Sequence, residues 1–153
     1  MTPLGTFSSI TAPGSLQTFT DVSHYEDNVV QAIAPMAVEG GPQGFVGALH
    51  TNHLGASGLY SIHTSQHIIT RTPHHISIGR RDALKFALQL SGTQTIIQDS
   101  RETTLHPGDI SFYDADMPYS LATSNNSWSV VFLVPRGNIG IRSDYIAQLT
   151  AVR

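Results

Sequence analysis

From Leu84 to Val134 the chain alternates apolar and polar residues in short runs, and almost every run ends on turn residues. Leu84, Phe86, Leu88 and Leu90 alternate with Lys85, Ala87 and Gln89, the period of a strand with one buried face. Ser91-Gly92 closes that run. Residues 93–98 and 101–105 flank Asp99-Ser100, which predicts a tight hairpin. Residues 110–114, 118–123 and 128–134 complete the set, with Ser124-Asn125-Asn126-Ser127 as a polar turn.

Upstream, residues 45–53 and 59–64 read as two strands joined through Gly55-Ala56-Ser57-Gly58. Residues 66–72 are β-branched and read as a third, ending at Pro73. Before them Val22, Tyr25, Val29 and Ile33 recur at helical spacing. Ser23-His24-Tyr25-Glu26 has the form of a capping box. Pro35 should end this helix near Ala34. Residues 1–20 are rich in Ser, Thr, Gly and Pro and read as a loose arm. A short last helix is expected from Pro135 toward Gln148, and the chain stops at Arg153 without a polar terminus, as if cut. Eight or nine short strands at roughly 8–12-residue spacing predict a mostly β barrel or sandwich over residues 21–153.

Composition agrees with one such domain. The length is 153 residues, with 13 Gly and 8 Pro, and only 12% of residues are charged against a usual ~25%. Net charge is −3 and the arginines are scattered, so the chain carries no basic footprint for nucleic acid or anionic lipid. Lys85 is the one lysine. The absence of cysteine excludes disulfides, thiol catalysis and thiolate metal sites. The first residues lack the charged and apolar regions of a signal peptide, and no apolar run approaches the ~20 residues of a membrane span. A cytoplasmic location is the default expectation.

Six of the eight histidines, His50, His53, His63, His67, His74 and His75, fall in one region and raise the question of a metal. Two ligands on one face of a strand must stand two residues apart, and none of these does. His63 and His67 would suit a helix, but their segment is β-branched. Histidines spread over a sheet are the plainer reading, and no metal or cofactor is expected. No nucleophile elbow or phosphate-binding glycine loop is present. Asp109, Asp114 and Asp116 could form paired carboxylates for acid–base work, but turn residues bonding their own backbone explain them better. Phe86, Phe112 and Trp128 stand in mid-strand. Pointed into one barrel they would line a small-ligand cavity; plain core packing is the alternative.

In order along the chain come Leu88-Gln89-Leu90-Ser91-Gly92, Gln98-Asp99, Leu105-His106-Pro107-Gly108-Asp109, Phe112-Tyr113-Asp114-Ala115-Asp116-Met117-Pro118-Tyr119 and Val131-Phe132-Leu133-Val134-Pro135-Arg136. This series resembles the N-terminal domain of AraC-type transcriptional regulators, in the branch called AraC-binding-like. The likeness is good over 84–137 and looser over 20–80, where the helix and Arg71-Thr72-Pro73 also fit. It implies a cupin-like double-stranded β-helix, or jelly-roll barrel, with a short helix at each end. It implies a domain that senses a small effector or mediates homodimerisation, with DNA bound by a helix-turn-helix part absent from this chain. Metal-binding cupins place a histidine about where Tyr119 stands and carry an earlier His-x-His pair that this chain lacks. Both departures argue against enzymatic chemistry, so no catalytic residue is assigned. A free-standing metal-dependent cupin enzyme and a ligand-free dimerisation module are the alternatives. Alternation predicts that Phe86, Leu88, Phe112 and Trp128 face inward, with His63 and Arg71 as the polar groups gripping an effector.

Overall fold

The computed structural model describes residues 14–140 and Ala151. Its first strand, β1 (Ser15–Phe19), lies within the segment expected to be a loose arm. It pairs antiparallel with the strand Gly47–Leu54 from Phe19↔Gly47 to Ser15↔Thr51. Main-chain pairing holds it, since four of its five side chains are exposed. Helix α1 (Val22–Ala32) follows, and its buried face is the expected one: Tyr25, Val29 and the adjoining Ile33 are 0%, 1% and 3% exposed. The cap differs from the sequence reading. Asp21, not Ser23, is the N-cap, and its carboxylate accepts from the Ser23 and His24 amides. Glu26 is drawn away from the box by a stronger need, the otherwise unpaired Val38 amide, which donates to it at 2.7 Å. Asp21→Ala should lower stability by about 1 kcal/mol in urea melts, whereas Ser23→Ala should cost less than half of that.

The remaining strands are β2 (Ala37–Gly40), β3 (Gly47–Leu54), β4 (Ser57–Thr64), β5 (His67–Arg71), β6 (Ala83–Ser91), β7 (Gln94–Gln98), β8 (Arg101–Leu105), β9 (Ile110–Asp114), β10 (Tyr119–Thr123) and β11 (Ser127–Pro135). Between β5 and β6 lies a short helix, α2 (Pro73–Ile78), which the sequence reading missed. Thr72 caps it through the His75 amide, and the His75 ring accepts from the Thr72 amide, a reciprocal cap built with histidine instead of Glu or Gln. The chain leaves β11 in a 3-10 turn, Arg136–Asn138. Most of the expected last helix lies outside the described residues.

Every pairing is antiparallel, in two sheets of order β1-β3-β4-β11-β6-β9 and β2-β5-β10-β7-β8. This is the expected jelly roll, closed at one mouth by α1. The β7–β8 hairpin turns where predicted, and both Asp99 and Ser100 take the positive φ of a type I′ turn, 54° and 61°. The core joins α1, Phe45, Leu49, Tyr60, Ile69, Ile96, Leu105, Tyr113, Tyr119, Leu121, Val131 and Leu133. Tyr60 also donates its hydroxyl to the Ala32 carbonyl at 2.9 Å and so ties β4 to the end of α1.

Candidate functional site

Leu84 is buried as expected, but from Lys85 onward the alternation on β6 keeps the expected period and takes the opposite phase. Lys85, Ala87 and Gln89 are buried, while Phe86 and Leu88 are only half-buried. Neighbouring strands agree. Tyr113 on β9 and Ser129 and Val131 on β11 line the internal cavity with Lys85, so Phe112, Val130 and Phe132 occupy the other face. There Leu59, Phe132, Phe86 and Phe112 stand in register across four strands as one apolar row on the outside of the barrel, with the Phe86 and Phe112 rings 5.5 Å apart. Ala151 returns to this sheet, its amide donating to the Phe112 carbonyl at 2.9 Å. The inward placement expected for Phe86, Leu88, Phe112 and Trp128 is therefore corrected. Alternation fixes a period but not which face is inside, and here Phe86 and Phe112 pack outward while Lys85, Ala87, Gln89 and Tyr113 turn inward.

His63 and Trp128 face each other on the outer surface. The His63 ring lies 6.4 Å from the indole and pairs with Asn126 Oδ1 at 3.1 Å, and the indole N–H donates to Ser61 Oγ. Neither lines the internal cavity.

Arg71 is fully buried, and its guanidinium is committed elsewhere than to the cavity. Nε donates to the Ala115 carbonyl, one terminal nitrogen to Pro35, and the other to Gly79 and to Asp116 Oδ1, at 2.7, 2.7, 2.7 and 3.3 Å. It is a clasp joining the end of β5, the exit from α1, the exit from α2 and the corner after β9. Asp116 in turn accepts the amides of Arg81 and Asp82. Asp114 accepts from Arg136 at 2.6 Å and from the Asp116 amide at 2.9 Å. Asp109 accepts the His106 amide across the Pro-Gly turn, where Gly108 holds φ at +94°. The three carboxylates are thus turn and clasp groups.

Larger clefts, one beside His63 and one beside Arg71, open on the outer surface. An internal cavity lies between α1 and the two sheets and measures about 30 Å³, room for roughly two water molecules. Val29, Ile33 and Met36 close it from the side of α1, and Ile62, Ile69, Leu121 and Val131 form apolar walls. Its polar lining comprises Tyr25, Thr64, His67, Lys85, Gln94, Tyr113, Thr123, Ser127 and Ser129. Two of these direct buried polar atoms without a partner among the described residues, Tyr25 Oη and Gln94 Oε1; Gln89 Oε1 nearby is a third. Such atoms are rare in folded proteins and call for a reason.

Lys85 is the strongest feature of the cavity. It is 3% exposed. Its Nζ donates to Tyr119 Oη at 2.7 Å and sits 4.9 and 5.5 Å from the centroids of the Tyr119 and Tyr113 rings. No carboxylate pairs with it among the described residues. Burial, with Arg71 and Arg81 adding repulsion, pulls its ammonium down to about 7. Burial also holds Tyr25, Tyr113 and Tyr119 well above the usual phenol value and His67 below the usual imidazole value. The sequence signal that could have found Lys85 was its place as the sole lysine, in mid-strand between apolar neighbours. Among the described residues no three His, Cys, Asp or Glu side chains converge as metal ligands.

The AraC-binding-like domain model matches residues 26–152. A curated relative, an uncharacterized protein in the nit 5′ region of Bacillus sp. (strain OxB-1), is 28% identical over 115 residues, covering 74% of this chain and 45% of that protein. The crystal structure of the AraC-like transcriptional activator CuxR superposes with a TM-score of 0.69 at 19% identity, over 80% of this chain and 48% of that one. The chain spans about half the length of each. A jelly-roll barrel closed by a helix, with a polar cavity inside and the ordered turns and corners joined by Arg71, Asp114 and Arg136, belongs to the AraC-binding-like domain family, the regulatory sensing or dimerisation part of AraC-type transcriptional regulators.

Proposed function

We propose that this domain binds a small effector inside the barrel and transmits its presence to a DNA-binding part of a longer parent protein. The observation that carries the reading is the internal cavity with unpartnered polar atoms on Tyr25 and Gln94. Unpaired polar groups in a core cost about 1–3 kcal/mol each, and a ligand that satisfies them recovers that free energy. Helix α1 is the natural relay, because Tyr25, Val29 and Ile33 form both the cavity wall and the helix's only packed face. Binding without turnover fits the carboxylates of Asp109, Asp114 and Asp116, which are tied to amides and arginines. No helix among the described residues is long and apolar enough to cross a membrane. A regulator acting on DNA works in the cytoplasm, and membership of this family supports assembly as a homodimer.

The test joins both halves of the parent protein. A compound that raises the melting temperature of the domain should also change the DNA affinity of the parent. Ser129→Phe, which fills the cavity, should abolish both responses, and Trp128→Ala, on the outer face, should leave both intact. A response that survives Ser129→Phe places the effector outside the barrel and ends this reading.

A further inference from the structure

We propose that the effector is a small monocarboxylic acid, its carboxylate held by Lys85 Nζ, which Tyr119 Oη positions, and its short apolar body lodged among Val29, Ile33, Met36, Ile62, Ile69 and Val131. This inference rests on the reading of the cavity as the effector site and assigns its ligand class.

The argument begins from charge. A buried ammonium is ordinarily paired or coordinates something, because desolvating an isolated charge is expensive. Lys85 has one hydroxyl and two ring faces around it, and no carboxylate among the described residues. The other buried cation, Arg71, is already matched by Asp116. Among the described residues Lys85 is thus the buried cation without a carboxylate partner. The groups facing it are neutral in the working range: Tyr113 from β9, Tyr119 from β10, His67 from β5 and Tyr25 from α1.

Valence and shape then narrow the ligand. A carboxylate carries a single charge, and its two oxygens can accept from Nζ and from a phenol at once. A phosphate dianion would bring a second charge with no second cation to meet it. The rest of the lining includes aliphatic side chains, with the unpartnered phenol of Tyr25 as a further donor and Gln94 Oε1 as an acceptor. An acid with a compact hydrocarbon body fits the aliphatic part of these walls. Because the closed cavity measures only about 30 Å³, any body beyond a few carbons must displace Val29, Ile33 or Met36. The length of the acid is therefore read directly by α1.

The sole lysine makes the test clean. With lysine labelled at 13Cε, the 153-residue chain gives one side-chain resonance, that of Lys85. The probes are straight-chain monocarboxylates from acetate to octanoate, each beside its primary amide and its alcohol. At least one acid should bind about tenfold or more tightly than its amide, raise the melting temperature, and shift the Lys85 titration upward by about one unit, the change expected when an opposite charge arrives. Lys85→Met should remove the preference for acid over amide while the amide still binds. Equal binding of acid and amide, a preference that survives Lys85→Met, or no response to any acid overturns the proposal. Amides or alcohols that bind as well as the acids, and whose binding is lost in Ser129→Phe, would leave the cavity as the effector site and remove only the carboxylate. Neutral and acidic probes that bind equally in wild type and Ser129→Phe would remove both.

Discussion

Arg71→Met is expected to lower the stability of the domain by about 3–5 kcal/mol, the usual cost of breaking a buried ion pair by removing one partner. The effect is large because one side chain serves four segments. Its loss leaves the carbonyls of Pro35, Gly79 and Ala115 without their donor and strips Asp116 of its buried countercharge. Asp116 keeps the Arg81 and Asp82 amides and the more distant Arg80, so it is weakened rather than orphaned. Arg71→Lys should recover little of the loss, since an ammonium cannot reproduce the planar fork that reaches carbonyls in three directions. Urea unfolding with a constant m-value is the measurement. A loss below about 1 kcal/mol would show that water replaces the clasp, and Arg71 would then be free for another role.

Lys85→Met is expected to act in the opposite sense and to raise stability by on the order of 2–4 kcal/mol at pH 7. The sign follows from the proton balance. In the unfolded chain the ammonium has its ordinary value of 10.5, and in the folded domain it falls to about 7. Between these values the unfolded state holds more protons, so wild-type stability rises with pH from 7 to about 10. Above pH 10 the trend reverses, because Tyr25, Tyr113 and Tyr119 hold their protons in the fold after the unfolded chain has lost them. Lys85→Met removes the rising limb and keeps the falling one. Its advantage should shrink steadily from pH 7 to 10, as the wild-type lysine becomes neutral in both states. Parallel wild-type and mutant profiles across that window would mean that Lys85 is solvated or charge-paired in solution. A binding residue that costs stability is what a ligand-dependent switch requires, since the ligand then stabilises the domain by removing a defect.

The two residues show how unevenly function can be read from a chain of this kind. Arg71 was singled out as polar, and its position beside Thr72-Pro73 marked a corner, but nothing local reveals that the carbonyls of residues 35, 79 and 115 converge on it. Lys85 looked like the solvent side of an amphipathic strand. Its neighbours Phe86 and Leu88 had the better claim to the interior by hydrophobicity. They lost that claim because a strand in a jelly roll has two usable faces, and the pairing with β9 and β11 decides which one turns inward.

Local chemistry determined what local forces control. The helix face of Tyr25, Val29 and Ile33, the hairpin at Asp99-Ser100, the Pro-Gly turn and the order of the strands were legible because each rests on contacts between near neighbours in sequence. The choice of Asp21 over Ser23 as cap, the pairing of Ser15–Phe19, the phase of β6 and the identity of the cavity lining were decided only by the tertiary structure. In each of these the deciding partner lies far along the chain: Val38 for Glu26, β3 for β1, and Tyr119 for Lys85. Period is a property of one strand. Inside and outside are properties of all of them together.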